Sequence, residues 1–399
     1  MRVVIAAGAY YPSHASGADR LAYDEAVFLA ARGHQVTLVC RADGNGEPGE
    51  SVDRGVRVLR YRRRGFGALD PRRAGAHQRL TRQALAHHLA GSMDLVHGHS
   101  LLQYRGALSR LGAGVRTAYS VHSPVRLEFE ATARGASGAE RLRLLLAARM
   151  LGRLERAALS GSSVVTADSA YTRELLGTLH GPGIRDKTSV VPGWVDLERF
   201  QIAEDRDQLK QRLGWPADRP VVLTVRRLVP RMGLDRLVRA AGLLRSAGHA
   251  FHLVIGGSGP LRARLETLVG ELGLGQVVGF AGFIAEETLP LMMGAADAFV
   301  LPTSELECFG LPVLEALACG RPVLAAPVGA IPELLRLFEP AWLASGSAPE
   351  AIAELLARFL SGALPAHDPS SLRAGVAAGF ARDRVLGRLT RLALGEDAG

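Results

Sequence analysis

Residues 304–320 read Ser304-Glu-Leu-Glu-Cys-Phe-Gly-Leu-Pro-Val-Leu-Glu-Ala-Leu-Ala-Cys-Gly320. They follow a short apolar run, Ala298-Phe299-Val300-Leu301, that stops at Pro302. Such a run, ended by proline, reads as a buried strand. Gly310 permits a tight turn. Pro312 suits the first position of a helix, because its ring pre-sets φ and its missing N–H is not needed there. Gly320 suits the position just past the helix end. Strand, turn and short helix in this order point to an α/β fold. The free amides of the helix N-terminus then face the space beyond the strand, where they attract anions, phosphate above all. Glu307 precedes this end and Glu315 lies one turn inside it, seven residues between them. Two carboxylates beside an anion site repel the anion unless they have another task. Accepting hydrogen bonds from hydroxyls, as on a sugar or a ribose, is the task that fits.

Two more strand-to-helix turns flank this one. Pro220–Val225 reads as a strand and leads into Arg226-Arg227-Leu228-Val229-Pro230-Arg231-Met232-Gly233-Leu234-Asp235, with three arginines. A planar guanidinium grips two phosphate oxygens at once. Ile255-Gly256-Gly257-Ser258-Gly259-Pro260-Leu261 follows another apolar run. Its glycines allow close backbone approach, but it lacks the Gly-x-Gly-x-x-Gly spacing, so no nicotinamide cofactor is expected.

The Glu-x7-Glu signature, together with residues 226–235, 255–261 and 278–333, resembles the retaining GT-B glycosyltransferases of family 4. This is the glycogen-synthase/sucrose-synthase-like group 1. The resemblance runs over nearly the whole chain. It implies two Rossmann-like doubly wound α/β domains with a cleft between them. It also implies transfer of a sugar from a nucleoside-diphosphate sugar to an acceptor hydroxyl. By the same resemblance Glu307 binds hydroxyls of the donor sugar, and Glu315 holds the ribose diol. Phe309, Gly310 and Leu311 offer backbone amides to sugar and phosphate. Arg227 matches the family's phosphate-binding arginine. The family's lysine is replaced by Met232, and neighbouring Arg231 is the expected substitute. Gly257 borders the nucleotide, and Phe283 stands where members contact the base. His122 matches a histidine that faces the donor sugar. Gly17 matches half of a glycine pair, the other half being Ala18, and lets backbone approach a ligand. His122, Arg227 and Glu307 are thus the expected catalytic residues. No cofactor and no metal is implied, since arginines and helix amides meet the charge on the leaving diphosphate.

The first half alternates strand and helix signals, as a parallel sheet covered on both faces requires. Strands are expected at 2–7, 35–39, 56–60, 94–97, 115–121, 163–166 and 188–191. A helix is expected at Asp19–Arg32, with Leu21, Phe28 and Leu29 at helical spacing. Polar loops leave the strand ends at Gly8–Ala18 (with Tyr10, Tyr11, Pro12, Ser13 and His14), at His97-Gly98-His99-Ser100 and at His122-Ser123-Pro124. His97 and His99 have the look of a zinc pair, but no third ligand stands near them in sequence. Residues 126–159 read as one helix, whose stripe Leu142, Leu145, Leu146, Met150, Leu151 and Leu154 is expected to pack on the sheet. Asp205-Arg206-Asp207 reads as solvated surface rather than a metal motif, because no apolar strand precedes it.

The 399 residues carry 48 Lys+Arg against 39 Asp+Glu. Residues 1–200 hold 28 and 18, hence +10, and residues 201–399 hold 20 and 21, hence −1. A basic first half suits an anionic partner, including peripheral contact with an acidic membrane surface. No aromatic interleaving or motif points to nucleic acid. Three cysteines form no framework, and the start reads as a strand rather than a signal peptide, so a cytoplasmic location is expected, peripheral at the inner membrane face if a lipid is involved. The expected division is 1–195 for the acceptor, 196–375 for the nucleotide sugar, and 376–399 as a helix packing back on the first domain. The acceptor is expected to be lipid-linked, a saccharide or a small molecule such as a natural product. A sugar-nucleotide epimerase, a phosphorylase and a non-catalytic nucleotide-sugar-binding subunit are the rival readings of the same residues.

Overall fold

The computed structural model describes residues 1–11, 16–42, 48–62, 72–88, 93–109, 111–112 and 114–396. Pro12, Ser13 and His14 of the first loop lie outside them, as do residues 63–71, which include Arg63 and Arg64. The chain forms two compact units, Met1–Gly193 with Asp383–Gly399, and Trp194–Arg382.

The first unit holds strands β1 (Arg2–Ala9), β2 (Gln35–Arg41), β3 (Gly49–Asp53), β4 (Val56–Tyr61), β5 (Leu95–Gly98), β6 (Arg116–Val121), β7 (Val164–Ala167) and β8 (Thr188–Val190). They form one sheet in the order β3-β4-β2-β1-β5-β6-β7-β8. All pairs are parallel except β3 with β4. Alternate residues of β1 feed opposite cores, as the two-residue period demands. Val3, Ile5 and Ala7 join the helix Gly17–Ala30 on one face, and Val4 and Ala6 join Tyr104, Tyr119 and Leu151 on the other. Where both faces are covered, as for β1, β2 and β5, the strands read as near-continuous apolar runs.

The second unit holds β9 (Val221–Val225), β10 (His252–Gly256), β11 (Val278–Gly282), β12 (Ala298–Leu301) and β13 (Val323–Ala325). Its all-parallel order is β11-β10-β9-β12-β13. In each unit strand order reverses beside the first strand: between β1 and β5, and between β9 and β12. Ligands of such sheets bind beyond the carboxyl ends of the strands at this reversal. The chain therefore brings residues 226–235 and 303–311 to one place, and residues 8–11, 16–19 and 97–100 to another.

Three sequence expectations change. The expected helix 126–159 is two helices, Val125–Arg134 and Gly138–Gly161, parted where Gly138 takes φ 53°. On the second of these Leu151 is buried, but Leu142 and Leu146 are 60 % and 54 % exposed, so the stripe does not pack on the sheet along its whole length. The segment expected as a single helix from residue 376 onward is likewise interrupted. Pro369–Phe380 and Arg382–Leu394 are separate helices, and Ala381 between them bridges to Val195 as a strand would. In the last helix the Ala393 carbonyl accepts from Arg116 Nε at 3.1 Å, within the first unit. Among the described residues no helix is long and apolar enough to cross a membrane.

Candidate functional site

In the second unit the helix opening at the reversal is Leu311–Ala318, with Gly310 at its N-cap in the left-handed region (φ 97°). Pro312 sits in its first turn, and Gly320 follows its C-cap with φ 70°. Phe309, Gly310 and Leu311 are thus the last loop and first helical residues, whose amides lie outside the helix's own hydrogen-bond ladder. The ring of Phe309 is buried, 6.1 Å from that of Phe380. At the other end, Arg321 Nε donates to the Cys319 carbonyl at 3.1 Å, and Arg373 to the Ala318 carbonyl at 3.0 Å. Positive groups at the C-terminus suit the helix dipole.

Glu307 is nearly buried in the loop before this helix. Its Oε2 accepts from Thr303 Oγ1 at 3.0 Å and from the guanidinium of Arg226. Its backbone is held just as firmly. Glu307 O accepts from Ala330 N at 2.8 Å, and a Cβ on Gly329 would lie 2.0 Å from that oxygen. Leu306, one residue earlier, takes the strained φ of 52°. Arg231 holds that turn. Its Nη1 donates to Leu306 O at 2.9 Å, while its own carbonyl accepts from Ser304 N at 2.9 Å.

Arg226 is the residue that sequence reasoning passed over. One of its terminal nitrogens lies 3.0 Å from Met232 Sδ and 3.2 Å from Thr303 Oγ1, and its Nε is buried without a hydrogen-bond partner. Its guanidinium therefore lies against the side chain at the family's lysine position. The visible signal was three arginines beside a missing lysine; which of them reaches position 232 depends on side-chain direction.

The remaining predicted residues fall as follows. Arg227 is exposed on the loop leaving β9. Gly257 follows β10 at φ 119°, and a Cβ there would lie 1.9 Å from Arg226 O, so this glycine lets the two loops touch. Its amide donates to Gly282 O at 2.6 Å. Glu315 is 4 % exposed on the buried side of its helix. Phe283 is 69 % exposed beyond β11, which rules out core packing for it. Asp205 caps the helix Arg206–Arg212 by accepting from Gln208 N at 2.9 Å.

His122 and Gly17 belong to the first unit. Gly17 opens the helix Gly17–Ala30 behind its N-cap Ser16. His122 stands at the end of β6, with Nδ1 2.9 Å from Asp168 Oδ2 and Nε2 2.9 Å from His99 Nδ1. His99 and His97 both contact a third group, Glu25 from the helix Gly17–Ala30, at 2.6 and 2.7 Å. Sequence spacing hid this residue, 72 positions from His97. Its signal is a carboxylate on the apolar face of a helix, between Leu21 and Leu29. The three side chains bring ligand-type atoms within 4.8 Å of one another. Their contacts are hydrogen bonds: an ion bonded to both partners at about 2.1 Å would hold the N and O atoms at roughly 3 Å or more. Burial works against charge on Glu25, but His97 and His99 outweigh it and hold the carboxyl well below its ordinary range. Burial pushes His99 down to about 4.

A family model described as glycosyl transferases group 1 matches residues 205–371, and one described as glycosyltransferase family 4 matches residues 15–199. The D-inositol 3-phosphate glycosyltransferase of Thermomonospora curvata is 33 % identical over 381 residues, covering 90 % of this chain and 84 % of that protein. The 2-deoxystreptamine glucosyltransferase of Streptomyces kanamyceticus is 34 % identical over 226 residues, covering 56 % and 57 %. The solved structure of a sucrose-phosphate synthase from Thermosynechococcus elongatus matches with a TM-score of 0.79 at 24 % identity, covering 100 % and 99 % of the two chains.

Proposed function

This chain belongs to the family 4 glycosyltransferases of group 1, and from that premise we propose that it moves a sugar from a nucleoside-diphosphate sugar to an acceptor hydroxyl with retention of configuration. The second unit binds the donor and the first binds the acceptor. The observation that carries this reading is the meeting, at the β9/β12 reversal, of a helix N-terminus, an arginine loop and the carboxylate Glu307.

When the sugar–phosphate bond breaks, its electron pair goes to the diphosphate. The acceptor oxygen bonds to the anomeric carbon, and the hydroxyl proton leaves with the phosphate. Arg227 and the amides of 309–311 meet the growing negative charge, each charged hydrogen bond being worth roughly 1.5–3 kcal/mol. Arg226 supplies the second cation in place of the family's lysine. Arg231 is occupied with Leu306 O and shapes the loop instead. Glu307 receives hydroxyls of the sugar, and Glu315 the ribose. The charge is met by the protein's own groups, without a metal.

The acceptor reading follows the charge of the first half. Exposed Leu142 and Leu146 stand among the exposed Arg141, Arg143 and Arg149, which favours a lipid-linked or phosphorylated acceptor met at an anionic membrane surface. A thermal-shift screen of UDP-, GDP-, ADP- and TDP-sugars is expected to single out one donor, followed by transfer to an acceptor. Tight donor binding without transfer to broad acceptor panels, or turnover without acceptor, refutes the transferase reading. Co-sedimentation with anionic but not neutral vesicles is expected, and equal recovery with both removes the membrane part.

A further inference from the structure

The reversal of the first sheet holds a ladder of polar side chains, of which only His122 is among the residues expected to meet the donor sugar. Three neighbouring strand ends each contribute two residues, two positions apart: His97 and His99 from β5, Ser120 and His122 from β6, Thr166 and Asp168 from β7. The inner row runs Glu25 Oε1 to His97 Nδ1 (2.7 Å), His97 Nε2 to Ser120 Oγ (2.8 Å) and Ser120 Oγ to Thr166 Oγ1 (2.7 Å). The outer row runs Glu25 Oε2 to His99 Nε2 (2.6 Å), His99 Nδ1 to His122 Nε2 (2.9 Å) and His122 Nδ1 to Asp168 Oδ2 (2.9 Å). Glu25 and the two β5 histidines are almost wholly shut off from solvent.

The outer row dictates where protons sit. The Glu25 carboxylate only accepts, so His99 Nε2 carries a hydrogen. A buried neutral imidazole carries just one, so His99 Nδ1 is a bare lone pair. His122 Nε2 must therefore donate to it. On the far side of the same ring the Asp168 carboxylate also accepts, so His122 Nδ1 donates as well. Two N–H groups on one ring make it a cation.

We propose that His122 is a locked imidazolium whose second proton is placed by Glu25 acting through His99, and that it serves bound substrate by its charge rather than by giving or taking a proton. The second half of this statement rests on the transfer reading; the charge assignment does not. Burial disfavours the cation, but Asp168 above all, with Asp19 and Glu25, outweighs it and pushes the His122 pKa above its ordinary value. His99, the remaining titratable neighbour, adds no charge of its own while neutral. Glu25 and His99 are positioning residues, for they touch His122 or its partner rather than substrate.

The test is a pH titration of 15N-histidine-labelled full-length protein, with His122 identified by its loss in the His122→Gln spectrum. Near pH 7 both His122 ring nitrogens are expected to be protonated, and His99 to be neutral with only Nε2 protonated. A neutral His122, with the proton on Asp168 or on one ring nitrogen alone, overturns the proposal. So does stoichiometric zinc capture that shifts His97 and His99 together. In Glu25→Gln, which keeps the shape, the pKa of His122 is expected to fall by about one unit or more. The basic limb of the kcat profile should then move to lower pH by the same amount. A purely structural Glu25 would lower the melting temperature and leave both pKa and limb in place, and that result overturns the relay. The wild-type titration decides the charge assignment even if the variant does not fold. An imidazolium in a protein that transfers no sugar sinks the transfer reading and leaves the charge assignment standing.

Discussion

Arg226 and Arg227 are adjacent but meet different surroundings. Arg227 is exposed, so Arg227→Ala is expected to leave the melting temperature within about 1 °C while lowering kcat/KM at least about tenfold. Arg226 is paired to a nearly buried carboxylate, and Arg226→Met leaves Glu307 with Thr303 alone. Breaking such a pair costs roughly 3–5 kcal/mol, so the melting temperature should fall by at least about 6 °C along with activity. Scanning fluorimetry beside steady-state kinetics separates the two patterns; equal behaviour of both variants contradicts the assignment. His99 brings a pH dependence. The unfolded chain takes up a proton near pH 6.5 that the folded chain refuses until about pH 4. Stability from this group is thus complete above pH 6.5 and is lost as pH falls from there to about 4, by roughly 3 kcal/mol in total. His122 has the opposite sign: its contribution is whole below pH 6.5 and disappears as pH rises through its elevated pKa. Urea unfolding across this range, compared with His99→Gln, checks the acid limb. Arg227 and Glu307 were legible as residue types in a motif. Arg226 and Glu25 were not, because their partners are set by side-chain direction and by residues 72 or more positions away.

The element that organises the second unit is the eight-residue helix Leu311–Ala318. Its turn, its proline and its terminal glycine were readable because each meets a local backbone demand. Its C-terminal restraint was not readable, since Arg373 arrives from another helix to grip the carbonyls of Leu197, Phe200 and Ala318. Arg373→Met is expected to cost about 1–3 kcal/mol by orphaning those carbonyls, seen as a lower midpoint in denaturant with Arg227 untouched. Most strands were legible as apolar runs. β3 was missed because Gly49-Glu50-Ser51-Val52-Asp53 is a polar, antiparallel edge strand rather than a buried one. The break near Gly138 was missed although Gly135, Ser137 and Gly138 mark it as a helix end and a new start, whereas Phe380-Ala381-Arg382 carries no glycine or proline to mark the second.

At the scale of the whole molecule, two reversals of strand order place two polar clusters, one per unit, and alternation of strand and helix signals was enough to expect both sheets. The last helix returns to the first unit, where Ala393 and Leu394 join the core of Val3, Leu95 and Ala118. Removing residues 383–399 is expected to lower that unit's melting temperature by at least about 5 °C, because it uncovers these side chains and frees Arg116 from its carbonyl. An unchanged first transition in calorimetry would contradict this.

The second unit's two ends lie side by side. Val195 N donates to Phe380 O at 3.0 Å, Arg382 N donates to Val195 O at 3.1 Å, and Asp196 pairs with Arg382. One continuous segment thus enters and leaves its host through a single doorway. Such a segment can be exchanged as a cassette: replacing 194–382 by the matching stretch of a relative should carry over the preference for one nucleotide sugar while the acceptor stays that of the host.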